Sequence, residues 1–312
     1  MTSAPAPIKA KLRVGDLVFS RSAVFAGSMI LVTLAAVALF LIVQSVPALS
    51  ATKEDASILE TNFWEYVGPL VFGTVWAAAL ALLIALPISI GIALFISHYA
   101  PRRLASVLGY IVDLLAAVPS VVFGLWGIGV LAPAIQPIYS WLVENVGWFP
   151  LFAGPVSGTG RTILTAGIVL AVMVLPIMTA ICREVFLQTP VLHEEAALAL
   201  GATRWEMIRT AVLPFGRSGI ISASVLGLGR ALGETMAVAM VLSASGAVTF
   251  QLLTSVNPST IAANIALSFP EAYGMNVNVL IATGLILFIV TFAVNAIARW
   301  VVARRAEFSG AN

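Results

Sequence analysis

The chain has 312 residues, of which 60% are hydrophobic and 10% are charged, and its formal net charge is +2. Soluble chains of this size carry about 25% charged residues, so the composition excludes an ordinary soluble protein and indicates that much of the chain lies in lipid. No basic stripe suggests nucleic-acid binding, and the single cysteine, Cys182, cannot form an internal disulfide.

Long apolar stretches dominate the chain from its first quarter to its end. Six of them have at least 18 residues and predict transmembrane helices at 24–46, 70–97, 107–131, 162–187, 220–243 and 277–302. The first stretch is longer than the apolar core of a signal peptide, which favours an uncleaved anchor. The predicted fold class is therefore an all-α integral membrane protein with six transmembrane helices.

The connections divide the chain into four parts. We predict a cytosolic tail at 1–23, a first transmembrane helix with an outside loop at 24–68, a transmembrane domain at 69–302 and a cytosolic tail at 303–312. Within the domain, residues 132–161 are expected to form an outside connection that is re-entrant or interfacial. Its aromatic side chains would lie at the lipid interface.

Basic residues indicate the orientation in the membrane. With a cytosolic N-terminus, 13 of the 16 lysines and arginines lie on the cytosolic side, including Lys9, Lys11, Arg13, Arg299, Arg304 and Arg305. Lys53 and Arg161 lie outside, and Arg230 lies within a span. Both termini and residues 190–214 are therefore predicted to be cytosolic, in a multi-pass protein of the plasma membrane.

The 190–214 segment is polar and lies between two apolar spans. Pro190 is expected to open a helix with Glu194 and Glu195 in its first turn, and Gly201 permits a tight turn. Thr203 and Glu206 have the spacing of a capping box for a second helix, which Pro214 would end. The result is a compact pair of short helices that projects from the membrane.

Small and aromatic residues make this segment a candidate docking surface. Ala196, Ala197, Gly201 and Ala202 let a partner approach the backbone closely, and Arg204 and Trp205 are the types that anchor interfaces. An amphipathic loop that rests on the membrane would explain the helices, but not the fixed spacing of Glu195, Ala196, Ala197 and Gly201. We therefore favour a partner-binding role.

The chain lacks the features of an enzyme. No phosphate-cradling G-x-x-x-x-G-K-[ST] motif is present, and Lys9, Lys11 and Lys53 are its only lysines. His98 and His193 are solitary and lack metal-ligand spacing, so both are interpreted as loop residues. Any ATP hydrolysis would therefore come from a separate subunit, and no cofactor is expected in this chain.

Three charged residues lie at least six residues from either end of a predicted span, namely Asp113, Arg230 and Glu234. A charge at a helix centre costs on the order of 3 kcal/mol, so such residues usually have a function or a partner. Arg230 and Glu234 are four apart and are expected to share a helix face and touch. Arg230 would lie about 20 Å from Arg217, deep in the bilayer. We interpret Arg230 and Glu234 as substrate-path residues for an oxyanion, with a structural ion pair as the alternative; Asp113 is interpreted as structural.

Three motifs resemble one family. They are the segment 195–214, with Glu195-Ala-Ala, Gly201, Leu213 and Pro214 and with Ala211 where Ile is usual, the stretch 227–235 (GLGRALGET) and the stretch 117–124 (AVPSVVFG). Together they resemble the PstC-type permease subunits of bacterial phosphate-specific ABC importers. The resemblance implies a type I ABC-importer permease fold in which 190–214 is the cytosolic coupling helix region.

The resemblance also implies partners and a mechanism. A homologous second permease subunit, a cytosolic ATPase dimer that binds ATP and magnesium, and an extracytoplasmic phosphate-binding protein would complete an alternating-access importer. Several alternatives stay open. They are the sister permease subunit, an importer of another oxyanion such as sulfate or molybdate, a stand-alone secondary transporter and a purely structural membrane scaffold.

Overall fold

The computed structural model describes residues 14–306, with the side chains of 15–300. Its helices, in chain order, are α1 (Val14–Ser45), α2 (Phe63–Leu94), α3 (Arg102–Ala116), α4 (Ser120–Trp126), α5 (Ala132–Val146), α6 (Ile163–Leu187), α7 (Val191–Ala199), α8 (Arg204–Met207), α9 (Leu213–Leu232), α10 (Met236–Val241), α11 (Ile261–Ser268) and α12 (Met275–Ala306). Residues 14–306 contain no β-strand, only two isolated bridges. The all-α prediction is confirmed, whereas Lys9, Lys11 and Arg13 lie outside the described residues.

Within residues 14–306, six helical stretches are long and apolar enough to cross a membrane, as predicted. They are Gly15–Ser50, Phe63–Tyr99, Ser120–Val146, Ile163–Leu187, Arg204–Leu232 and Met275–Trp300. Four of them include most of a predicted span, but the third and the fifth differ from the prediction in ways that affect the site.

The third span is shifted towards the C-terminus. The chain breaks between α3 and α4, where Pro119 has extended backbone angles, and the span runs through Ser120–Val146 instead of 107–131. Proline disfavours a helical conformation at the residue before it, which explains the break. Asp113 therefore lies on α3, outside the candidate spans, and its side chain is exposed. The supposed connection at 132–161 is helical as far as Val146.

The fifth span begins earlier and ends earlier than predicted. Pro214 does not end a helix, because one continuous helical stretch runs from Arg204 to Leu232. At the other end α9 stops at Leu232, where Gly233 is the C-cap. The short helix α10 then follows. The span predicted at 220–243 is thus two helices with a break at 233–235.

Three wide helical turns share one cause. They occur at Phe95–Tyr99, Gly127–Leu131 and Ile208–Val212, and each ends two residues before a proline. In each turn the residue before the proline donates its N–H to the carbonyl five residues earlier. A proline has no N–H and its ring crowds the preceding turn, so an added residue in that turn relieves the conflict.

The core is centred on α6, which packs between α2 and α9. Close approach depends on small residues, as is usual between membrane helices. Gly167 of α6 lies against Leu80 of α2, and Gly227 of α9 lies against Met178 of α6. The first span is exposed over most of its length and packs mainly against α12, where Asn278 donates to the Gln44 carbonyl at 2.8 Å.

Candidate functional site

The 190–214 segment has the predicted local structure as far as its capping box at Thr203 and Glu206, whereas its second helix continues past Pro214 into α9. Pro190 is the N-cap of α7, and Gly201 adopts a φ of +86°, a left-handed conformation that favours glycine. Thr203 and Glu206 form both bonds of the capping box. The Thr203 hydroxyl accepts from the Glu206 N–H at 3.3 Å, and the Glu206 carboxylate accepts from the Thr203 N–H at 2.7 Å. The turn between α7 and α8 is therefore fixed by its own side chains.

The predicted docking residues form an open surface. Leu200 is 90% exposed and Trp205 is 55% exposed, although both are large apolar side chains. Around them Glu195, Ala196, Gly201, Thr203 and Arg204 are exposed, while Glu194, Ala197 and Ala202 are half-buried. A side chain added at Gly201 would meet nothing within 4 Å. The surface therefore has room for a partner, and the docking role itself stays a prediction.

The segment is joined to the membrane helices by a contact that the sequence pattern does not predict. His98 lies in the wide turn at the end of α2, and its Nε2 lies 3.4 Å from Glu194 Oε1. Its Nδ1 is 2.7 Å from the Ser97 hydroxyl. Behind this contact Met207, Ile208 and Val212 are buried. No local pattern could have paired His98 with Glu194, since 96 residues separate them.

Arg230 and Glu234 do not touch. Arg230 lies in the last turn of α9, whereas Glu234 lies beyond the Gly233 cap, so the i, i+4 geometry expected of a continuous helix is lost. Glu234 is only 8% exposed and accepts a hydrogen bond from the Ala237 N–H at 3.0 Å, at the start of α10. The expected ion pair is wrong. Glu234 instead holds the break between α9 and α10.

Arg230 lines a cavity of about 820 Å³ between α6, α9 and α12. The polar side chains of its wall are Ser222, Arg230, Asn295 and Arg299, and the remaining wall is apolar. Arg230 Nε and Asn295 Oδ1 are buried without a hydrogen-bond partner. The distribution of charge predicted only that Arg299 lies on the cytosolic side, and the packing of α9 on α12 shows that it shares a cavity with Arg230.

A polar network closes the opposite end of the bundle from the 190–214 segment. Arg161 donates to the carbonyls of Met240 at 3.1 Å and Val241 at 3.3 Å, where α10 ends. Asn257 is fully buried; its Nδ2 donates to the carbonyls of Arg161 and Ser243, and its Oδ1 accepts from the Ile163 N–H at 3.0 Å. The end of α10 is therefore tied to the start of α6.

Residues 85–307 match the family of binding-protein-dependent transport system inner membrane components. The chain belongs to this family. This chain is 48% identical over 298 residues to the phosphate transport system permease protein PstC 2 of Mycobacterium tuberculosis, and the match covers 92% of this chain and 91% of the relative. It is 40% identical over 308 residues to the PstC protein of Mesorhizobium japonicum, with 95% and 92% covered.

A solved structure agrees with the fold of this family member. It is a bacterial ABC transporter involved in the import of the acidic polysaccharide alginate, which matches with a TM-score of 0.55 and 18% identity over 91% of this chain and 96% of that chain. At this identity the likeness shows the fold alone. The fold is that of an ABC-importer permease.

Proposed function

We propose that this chain is the transmembrane permease subunit of an ATP-driven importer of inorganic phosphate in the bacterial plasma membrane. The observation that carries the proposal is Arg230, an arginine of a membrane-spanning helix that lines a cavity and has no ion pair among the described side chains. The naming of relatives at 40–48% identity as phosphate transport permeases supports phosphate as the cargo.

An unpaired arginine at this place favours an oxyanion. A guanidinium inside a membrane protein is expensive unless a counter-charge compensates it. Its planar fork presents donors in the geometry of phosphate oxygens. Because Glu234 forms no ion pair with Arg230 and accepts a hydrogen bond from the Ala237 N–H instead, the transported anion is the counter-charge that the cavity accepts. Glu234 contributes to the path by holding the backbone break beside Arg230.

The remaining parts of the importer would be separate subunits. The exposed surface around Gly201 and Trp205 would dock a cytosolic ATPase dimer, which binds ATP and magnesium. A homologous second permease subunit would cover the open side of the cavity, and an extracytoplasmic binding protein would deliver phosphate. With the 190–214 segment on the ATPase side, both termini are cytosolic, in accord with the distribution of basic residues.

The path is tested with Arg230→Gln in the complete reconstituted importer. We expect ATP-driven uptake of phosphate to be abolished while all subunits still co-purify, because the substitution removes the charge and keeps a polar side chain of similar length. Arg103→Gln, an exposed arginine on α3, is the matched control and should transport normally. Normal uptake by Arg230→Gln would refute the proposed path. If a sulfate-loaded binding protein stimulates ATP hydrolysis and a phosphate-loaded one does not, the transported anion is sulfate and not phosphate.

The docking surface is tested with Gly201→Leu. Gly246 is a suitable control, since it is exposed, has a φ of +73° and, like Gly201, has nothing within 4 Å of an added Cβ. Both substitutions impose the same backbone strain, but only Gly201→Leu should release the ATPase during purification. Equal retention of the ATPase by both variants would show that the 190–214 segment is not the docking surface.

A further inference from the structure

We propose that Arg299 and Asn295 of α12 form a second oxyanion position next to a first position at Arg230. The transported anion would then pass from Arg230 towards Arg299 before release. This inference rests on the proposed function and names a second part of the same path. Arg299 belongs to none of the motifs that carry the family resemblance, and the cavity alone brings it to the site.

The charge balance of the cavity is the first argument. Its wall carries two guanidinium groups and no carboxylate, and no salt bridge involves Arg230 or Arg299 among the residues with described side chains. Two like charges that face one cavity repel each other, and neither Arg230 nor the exposed Arg299 is paired with a carboxylate among the described side chains. An anion between them relieves this repulsion. The polar contribution of Ser222 and Asn295 adds hydrogen-bonding groups of the kind that orient an oxyanion.

The helix geometry places these groups in a series. Consecutive spans cross the membrane in opposite directions, so the C-terminal part of α12, which carries Arg299, lies towards the beginning of α9 and the 190–214 segment. Asn295 lies four residues away from Arg299 on the same helical face, about 6 Å farther from that side. Arg230 lies eight residues beyond Ser222 on α9, a rise of about 12 Å. Along α9 the cavity wall therefore runs inward from Arg230 to Ile221, and along α12 it runs inward from Asn295 to Arg299.

A series of weak sites suits transport better than one strong site. An anion held by a single uncompensated arginine leaves slowly, whereas a second cation one step farther along gives it a position to move to. The same chemistry would also accept the phosphate group of an anionic lipid that enters the cavity from the inner leaflet. A test of the second position therefore has to measure free phosphate and to vary the lipid.

The experiment uses the complete importer in vesicles of phosphatidylcholine, with and without phosphatidylglycerol. Two quantities are measured: ATP-driven uptake of radiolabelled phosphate, and equilibrium binding of inorganic phosphate to the nucleotide-free complex. The variants are Arg299→Gln, Arg299→Lys, Asn295→Leu, Arg230→Gln and the control Arg103→Gln. We expect Arg299→Gln to lower uptake and phosphate binding at least tenfold, Arg299→Lys to restore most of the loss and Asn295→Leu to lower uptake several-fold. The control should match the unsubstituted protein in both lipids.

The outcomes separate this inference from the function on which it rests. Uptake by Arg299→Gln within twofold of the control, with no uptake by Arg230→Gln, would overturn the second position and keep the proposed function. Normal uptake by both variants would overturn both. Loss of phosphate binding by the unsubstituted protein when phosphatidylglycerol is added would assign the Arg299 position to a lipid headgroup and would also overturn the inference. If Arg299→Gln does not assemble, Asn295→Leu, which keeps both arginines, decides in the same assays.

Discussion

Gly73 is the position where one added methyl group should damage this protein most clearly. It lies in α2 and faces the chain at Pro258 and Ser259. A Cβ built on Gly73 would lie 3.0 Å from the carbonyl carbon of Ser259, 3.1 Å from Cβ of Pro258 and closer still to the carbonyl oxygen of Ser259. Ordinary contacts between carbon atoms are about 3.5–4.0 Å, so Gly73→Ala must push the two segments apart.

The obstacle is backbone, which cannot rotate away as a side chain can. The neighbouring residue Thr74 holds the same segment in place, because its hydroxyl accepts a hydrogen bond from the Ile261 N–H at 2.9 Å. Overpacking of this kind costs about 1–3 kcal/mol. Gly91→Ala is the matched control, since Gly91 lies in the same helix with nothing within 4 Å of an added Cβ. Both substitutions gain the same helix propensity, about 0.5–1 kcal/mol, so their difference isolates the overlap.

Thermal unfolding of the purified complex in detergent measures this difference. With about 2–4 °C per kcal/mol for large domains, Gly73→Ala should unfold roughly 2–12 °C below Gly91→Ala at a fixed scan rate. Equal midpoints for the two variants would show that α2 and the 258–261 segment are not packed as described.

Two further predictions concern the polar contacts at the two ends of the bundle. Thr203→Ala removes the capping box shared with Glu206, which costs about 1 kcal/mol of stability, and should weaken binding of the purified ATPase about fivefold. Thr203→Ser keeps the hydroxyl and should bind the ATPase normally. An unchanged dissociation constant for Thr203→Ala would contradict the role of the cap. Asn257→Ala leaves buried groups such as the Ile163 N–H without partners and should lower the free energy of unfolding by about 2 kcal/mol or more in chemical denaturation. Asn145 is exposed, so Asn145→Ala should have little effect. Equal stabilities of the two variants would refute the importance of the network.

The structure of residues 190–206 was predictable because its determinants are local. The capping box of Thr203 and Glu206 and the turn at Gly201 each depend on residues within four positions of one another, and both are present as expected. The number of spans was likewise predictable, since hydropathy over about 20 residues reports burial in lipid.

The errors occurred where an apolar stretch hides a break. Pro119 and Gly233 each lie within a long apolar run, and hydropathy alone does not tell a kinked helix from two helices. The break at Gly233 separates Arg230 from Glu234 and removes their expected contact. Local patterns could not predict that Arg299 shares a cavity with Arg230 or that His98 contacts Glu194, because both depend on how distant helices pack.

The wide turn at Ile208–Val212 determines how a displacement of the 190–214 segment reaches the membrane. A helix with one surplus residue can shift that residue along its length by exchanging hydrogen bonds, but Pro214 has no N–H to exchange. The surplus is therefore trapped at the base of α9. We expect a displacement of the segment to move α9 as a rigid body, without a change in its hydrogen-bond register. Arg230 lies at the opposite end of α9 and would move with it.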